Sequence, residues 1–309
     1  MYHESADYLV ERIKRVAPMQ RVIPLETPIA LRAALGEIEV LFAPMPPRDG
    51  WAGAERLRLI QVLGTGVDTL LPSPDLPPQV EIAGVRGVFA PDVAEHALAL
   101  LLAHARRLPQ LLDAQRGRSF EATPRPSIAG EVVTIVGGGE IGRRVARATT
   151  ALDMRVRVVS RTGRGELQPG VELLPADALA SAVSDARFVV IAVPLTPATT
   201  NLFDARMLAR MRSDAYLINV ARGGIVDEAA LVEAVSARRL GGAALDVFAE
   251  EPLPPDHVLW TVPGITITPH VGGLGIGYIE RCIEALLANV AALEGGTPRR
   301  GVVDRDVGY

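Results

Sequence analysis

Short apolar runs alternate with stretches of helical periodicity along most of this chain. Residues 22–25, 40–43 and 57–63 read as strands, with proline-rich loops at 44–47 and 72–78 between and after them. Met1-Tyr2-His3 looks like the tail of another strand, followed by a helix-like run over 5–16. Residues 93–108 predict a long apolar helix closed by Pro109. After a polar stretch at 116–127, buried strands are expected at 132–136, 156–160, 188–193, 216–220, 243–247 and 265–268. Helical segments separate most of them; in the first, Ile141, Val145, Ala148 and Leu152 form one apolar face. A last apolar helix spans 278–293. Buried strands with crossover helices predict parallel sheets covered on both faces.

Length then sets the number of cores. A chain of 309 residues is long for one core and ample for two. The expected division is an α/β substrate domain from residues 1–96 and 276–309, with a Rossmann dinucleotide-binding domain at 97–275 inserted into it.

Composition adds little but excludes much. Hydrophobic residues at 49% and charged ones at 22% describe a soluble globular protein. A net charge of -4 gives no basic footprint for nucleic acid, and no uncharged apolar run is long enough to span a membrane. The start of the chain is not a signal peptide, and the single cysteine, Cys282, excludes an intrachain disulfide. A cytoplasmic enzyme fits. Lys14 is the only lysine among 32 cationic side chains, so each single arginine carries less information than usual.

The clearest chemistry follows the strand at 132–136. It runs into Gly137-Gly138-Gly139-Glu140-Ile141-Gly142, which opens a helix. This is G-x-G-x-x-G in the context a dinucleotide needs: a tight turn, close backbone approach to the pyrophosphate, and close helix–strand packing. Free N–H groups and partial positive charge at the helix start favour phosphate. Glu140 is a discord there, because a carboxylate repels phosphate. About 20 residues on, an NAD enzyme carries Asp or Glu for the ribose 2′-OH. Here the strand ends in Ser160-Arg161-Thr162, with Arg164 beyond, a set that suits a 2′-phosphate. NADP(H) is favoured over NAD(H), and no metal is expected.

Three later strands each end in polar loops: Asn219-Val220-Ala221-Arg222-Gly223-Gly224, Asp246-Val247-Phe248-Ala249-Glu250-Glu251-Pro252, and Thr268-Pro269-His270-Val271-Gly272-Gly273. Ligands of open α/β sheets bind at such strand ends. An arginine can fork onto a carboxylate, a histidine can protonate an incipient alkoxide, and a glutamate can keep that histidine charged.

With these motifs the chain resembles the D-isomer-specific 2-hydroxyacid dehydrogenases over nearly its whole length. The matching stretches are residues 63–68, 93–108, 137–142, 193–200, 219–227, 245–252 and 268–272. Ser160-Arg161-Thr162 and the C-terminal residues 303–309 look most like the glyoxylate/hydroxypyruvate reductases within that family. The resemblance implies a flavodoxin-like substrate domain and a homodimer. It implies that Arg222 binds the substrate carboxylate, His270 is the general acid of reduction, and Glu251 pairs with His270. Backbone N–H groups of Gly64-Thr65-Gly66-Val67 would meet the substrate carboxylate. Cofactor contacts are implied for Gly137, Gly139, Glu140, Ile141, Gly142, Ser160, Arg161, Thr162, Val193, Pro194, Thr199, Val220, Ala221, Arg222, Asp246, His270 and Gly272.

The expected activity is NADPH-dependent reduction of a small 2-oxo acid, glyoxylate or hydroxypyruvate, to the 2-hydroxy acid. Two alternatives stand beside it. One is an NAD-dependent dehydrogenase of another 2-hydroxy acid, such as 3-phosphoglycerate. The other is a dinucleotide-sensing interaction protein, against which the joint presence of Arg222, Glu251 and His270 argues. His96 and His104, on the expected bridging helix, read as structural.

Overall fold

The computed structural model describes every residue except Glu4, Ser5, Thr65, Thr69, Glu121, Asp306, Val307 and Tyr309. The chain divides into one unit of Met1–Phe89 with Gly275–Tyr309 and a second of Ala90–Leu274.

In the first unit, helices α1 (Ala6–Val16) and α2 (Pro28–Ala34) precede strands β1 (Val40–Ala43), β2 (Leu59–Val62) and β3 (Glu81–Ala83). The strands are parallel, in the order β1-β2-β3. Helix α2 starts where the Thr27 hydroxyl accepts the Ala30 N–H at 3.1 Å, with Pro28 in the first turn. Central β2 is buried throughout, as a strand covered on both faces must be. The strand expected at 22–25 does not form: Leu25 alone bridges Tyr2, in parallel. Pro24 has no N–H for a ladder, so pairing stops there.

The second unit opens with α3 (Ala90–Ala105) and α4 (Leu108–Arg116) where one helix closed by Pro109 was expected. The break comes at Arg107, with φ of 51°. Pro109 instead lies in the first turn of α4, where its missing N–H costs nothing. The expected domain boundary after residue 96 thus falls inside α3, which belongs whole to this unit because it packs on the helix after the glycine loop.

The chain then runs through β4 (Val132–Val136), α5 (Glu140–Ala151), β5 (Arg155–Ser160), β6 (Val171–Pro175), α6 (Leu179–Ala182) and β7 (Phe188–Ile191). It continues through α7 (Ala205–Leu208), β8 (Tyr216–Asn219), α8 (Glu228–Ser236), β9 (Gly242–Leu245) and β10 (Ile265–Ile267). All seven strands are parallel, in the order β10-β9-β8-β7-β4-β5-β6. The order reverses between β4 and β7, so a crevice opens at their carboxyl ends. The edge strand β6 was not expected, because its half-exposed residues lack a buried run.

The buried face of α5 comprises Gly142, Val145, Ala146 and Thr149. This corrects the expected stripe: Val145 is buried, but Leu152 lies past the helix end and is exposed. Close approach of Gly142 to the glycine loop turns the helix to that face.

Helix α9 (Tyr278–Glu294) completes the first unit. Its buried Asn289 donates to the Gln61 side chain of β2 at 2.7 Å, and Gln61 donates to the Ala83 carbonyl of β3 at 3.0 Å. Two buried amides thus satisfy each other and register the helix on the sheet. No helix among the described residues is long and apolar enough to cross a membrane.

Candidate functional site

At the carboxyl end of β4, the glycine loop is shaped by close approaches. A Cβ at Gly137 would lie 2.3 Å from the Ala192 carbonyl oxygen beyond β7, and one at Gly142 would lie 1.9 Å from the Gly137 oxygen. Gly137 also has φ of +125°, open only to glycine. Gly139 differs: it is exposed, and a Cβ there would meet nothing within 4 Å. As N-cap of α5 it supplies no side-chain acceptor, so the first-turn N–H groups carry no cap. These features fit the pyrophosphate of a dinucleotide. Glu140, which was a discord in sequence, has an exposed side chain, where water screens its charge.

Strand β5 ends beside this loop, with the Ser160 Cβ 3.2 Å from a Cβ built at Gly138. Ser160 Oγ accepts the Gly163 N–H at 3.2 Å, and Thr162 Oγ1 accepts that of Arg164 at 3.3 Å. Arg161 and Arg164 are exposed. Arg143 of α5 joins both parts: Nε donates to the Gly138 carbonyl at 3.0 Å and Nη1 to that of Glu166 at 2.5 Å. In sequence this arginine carries no signal, being one helical arginine among so many.

After β7, Thr199 Oγ1 donates to the Pro194 carbonyl at 2.7 Å and accepts the Thr196 N–H at 2.8 Å, closing the turn that begins at Val193. After β8, Val220 is buried, and the wholly buried Asn219 shapes the next loop. Its side chain accepts the Ala221 N–H at 3.1 Å and donates to the Arg222 carbonyl at 2.9 Å. Arg222 Nη1 donates to the Ala221 carbonyl at 2.8 Å. A Cβ at Gly223 would lie 1.8 Å from the Phe248 carbonyl carbon, so the arginine loop lies directly on the loop after β9.

That second loop carries Glu251. Its Oε1 accepts the Phe248 N–H at 2.9 Å, and its Oε2 lies 2.7 Å from His270 Nδ1. The pair sits 34% and 48% exposed, open at the surface of its unit. With Nδ1 engaged by the carboxylate, Nε2 is the ring nitrogen left for chemistry. Glu228 braces the same loop by accepting the Ala249 N–H at 2.7 Å.

His270 itself has φ of 53°. Its turn is gathered onto Asp246, which is buried and accepts from Thr268 Oγ1 at 2.6 Å, Val271 N at 3.0 Å and Gly272 N at 2.9 Å. His96 Nε2 of α3 completes the cluster, 2.9 Å from Thr268 Oγ1 and 3.3 Å from Asp246 Oδ1. Burial alone would push the Asp246 carboxyl up, but hydrogen bonds from His96, Thr268, Gly272 and Val271 hold it below its ordinary value. It is therefore an anion.

Gly64 and Val67 lie in the turn after β2 in the first unit; the Gly64 carbonyl accepts the Val85 N–H at 3.0 Å, and Val67 is buried. Thr65 of that turn lies outside the described residues. Gly66 is half-buried. The structure thus brings Arg222, Glu251, Asp246 and His270 onto adjoining loops of one unit.

Residues 98–272 match the family model described as D-isomer specific 2-hydroxyacid dehydrogenase, NAD binding domain. The chain is 32% identical over 270 residues to glyoxylate/hydroxypyruvate reductase A of Photorhabdus laumondii, covering 85% of each chain. It is 32% identical over 317 residues to the glyoxylate reductase of Thermococcus gammatolerans, covering 94% of this chain and 90% of that one. Among solved structures, the NADPH-dependent glyoxylate/hydroxypyruvate reductase of Sinorhizobium meliloti, in complex with NADP and sulfate, superposes with a TM-score of 0.88. The identity there is 29%, over 98% of this chain and 96% of the other.

Proposed function

Because this chain belongs to the D-isomer specific 2-hydroxyacid dehydrogenases, a family of NAD(P)-dependent enzymes, we propose that it reduces a small 2-oxo acid with NADPH. The substrates are glyoxylate or hydroxypyruvate, and the product is the 2-hydroxy acid. The observation that carries this reading is the 2.7 Å contact between His270 Nδ1 and Glu251 Oε2, at the strand ends that also hold Arg222. A sensor of dinucleotides needs the glycine loop but not an acid–base pair.

Each residue then has one task. Arg222 forks onto the substrate carboxylate and orients the adjoining carbonyl. Glu251 holds the His270 ring through Nδ1, which leaves Nε2–H to donate the proton to the carbonyl oxygen. Gly137, Gly139, Gly142 and the start of α5 hold the dinucleotide phosphates, and Ser160, Arg161 and Thr162 take the 2′-phosphate. Ile141, Val193, Pro194, Thr199, Val220, Ala221, Asp246 and Gly272 line the remainder of its bed. Bound there, the reduced nicotinamide supplies the hydride to the carbonyl carbon.

NADPH is preferred because β5 ends in Ser160-Arg161-Thr162, with no carboxylate to bind a 2′-OH and repel a 2′-phosphate. The Sinorhizobium enzyme with NADP supports the same choice. The protein works as a homodimer, a reading that the exposed Leu108, Leu111 and Leu112 of α4 support.

The test is a paired steady-state assay of the purified protein and of His270→Gln, with glyoxylate and hydroxypyruvate, comparing NADPH with NADH. We expect a higher kcat/KM with NADPH and a loss of about 10²–10⁴-fold in kcat for His270→Gln. Preference for NADH overturns the cofactor assignment alone. NADPH binding without turnover of either acid overturns the substrate assignment.

A further inference from the structure

We propose that His96 is a positioning residue for the reaction, a latch from α3 that holds the turn bearing His270 through Thr268 and Asp246. The proposal rests on the reading of His270 as proton donor. In sequence His96 reads as a structural residue of a helix, and nothing in the motif pattern links it to the acid–base pair.

Proton accounting gives the latch its direction. Asp246 is an anion and can only accept. The single hydroxyl proton of Thr268 therefore points at Asp246 Oδ1, 2.6 Å away. The free lone pairs of Thr268 Oγ1 then face His96 Nε2 at 2.9 Å, and Asp246 Oδ1 lies 3.3 Å from the same nitrogen. With an acceptor on both sides, Nε2 must carry a proton. His96 thus donates into the cluster, and α3 is tied to both ends of the turn.

The turn needs such a tie. His270 has φ of 53°, a left-handed conformation that side chains with a Cβ avoid and that persists where surrounding bonds over-determine it. The bonds that determine it all converge on Asp246: the Thr268 hydroxyl before His270, and the Val271 and Gly272 N–H groups after it. The backbone of His270 closes the set by donating to the Asp246 carbonyl at 2.8 Å. Gly272 lies against the two latch side chains together, since a Cβ there would meet Asp246 Oδ2 at 2.8 Å and His96 Cδ2 at 3.2 Å.

Helix α3 does not depend on His96 for its place. It packs along α5, and its His104 stacks on Tyr216 of β8 with ring centroids 3.6 Å apart. Loss of the imidazole at 96 is therefore expected to loosen the turn and leave the fold.

Two full-length variants test this, His96→Leu and His96→Gln, the second keeping a side-chain N–H donor. Amide hydrogen exchange is followed at Val271 and Gly272 in the free protein, and steady-state reduction of glyoxylate with NADPH is measured beside it. In His96→Leu we expect exchange at those amides to quicken about tenfold, with strands β4 and β8 unchanged. We expect kcat to fall about tenfold while KM for NADPH stays within about twofold, and His96→Gln to recover most of both. Unchanged exchange at Val271 and Gly272 in His96→Leu overturns the latch. So does a loss of kcat that glutamine does not recover. If the wild type reduces neither oxo acid, the proposed function falls, and the exchange result still decides the latch.

Discussion

A methyl group added at Gly142 would sit 1.9 Å from the carbonyl oxygen of Gly137, whereas one at Gly139 would meet nothing within 4 Å. The two glycines of one motif therefore do different work. Gly142→Ala must push α5 off the glycine loop, an overpacking cost of about 1–3 kcal/mol. We expect it to lower the Tm by several degrees, roughly 2–4 °C per kcal/mol in a domain of this size. Gly139→Ala is expected to keep the wild-type Tm and to weaken NADPH binding, because the added methyl occupies the approach to the α5 N–H groups. Calorimetry and fluorescence titration separate the two; equal loss of Tm in both variants would refute the assignment. The motif made both glycines and their tasks legible in sequence. Which backbone lies opposite each was not, because that depends on the folded chain.

At the scale of elements, α3 shows what periodicity misses. Its apolar run was legible, but its end before Arg107 and the new start at Leu108 depend on the chain turning away to form α4. The apolar run at 22–25 forms no strand, because Pro24 has no N–H to give a ladder. The packing of α3 on the sheet also makes a pH prediction. Burial, and then the nearby Arg187 and Arg107, lower the His104 pKa from its ordinary 6.5 to about 4. Between those values the unfolded chain takes up a proton that the folded one refuses, so stability falls as pH drops through that window. Above it His104 is neutral in both states and adds no pH dependence. His104→Phe keeps a ring against Tyr216 and cannot take up the proton. We expect its urea midpoint to fall less between pH 7 and pH 5 than that of the wild type. Parallel losses in the two proteins would show that His104 is not the group responsible.

For the whole molecule, the division into Met1–Phe89 with Gly275–Tyr309 and Ala90–Leu274 predicts separable stabilities. The glycine loop and the Ser160-Arg161-Thr162 strand end lie in the second unit alone. NADPH at about a hundredfold its Kd stabilises the unit that binds it by about 2.7 kcal/mol. Leu59 is fully buried in the first unit, and Leu59→Ala is expected to cost about 2–5 kcal/mol there. In scanning calorimetry we expect NADPH to raise one transition and Leu59→Ala to lower the other. One transition moved by both would mean that the units melt together.

The features legible in the chain alone are local: buried strands of a parallel sheet, a glycine loop between strand and helix, and polar residues placed just past strand ends. Each follows from periods and turn chemistry that act over a few residues. The pairings come from folding. It sets Glu251 at 2.7 Å from His270, turns Gly223 onto Phe248, and brings His96 within 2.9 Å of Thr268 across 172 positions of chain. Such contacts depend on the order of strands in the sheet and on how a helix lies over it. That order is chosen by burial of the whole core, which no single stretch of sequence contains.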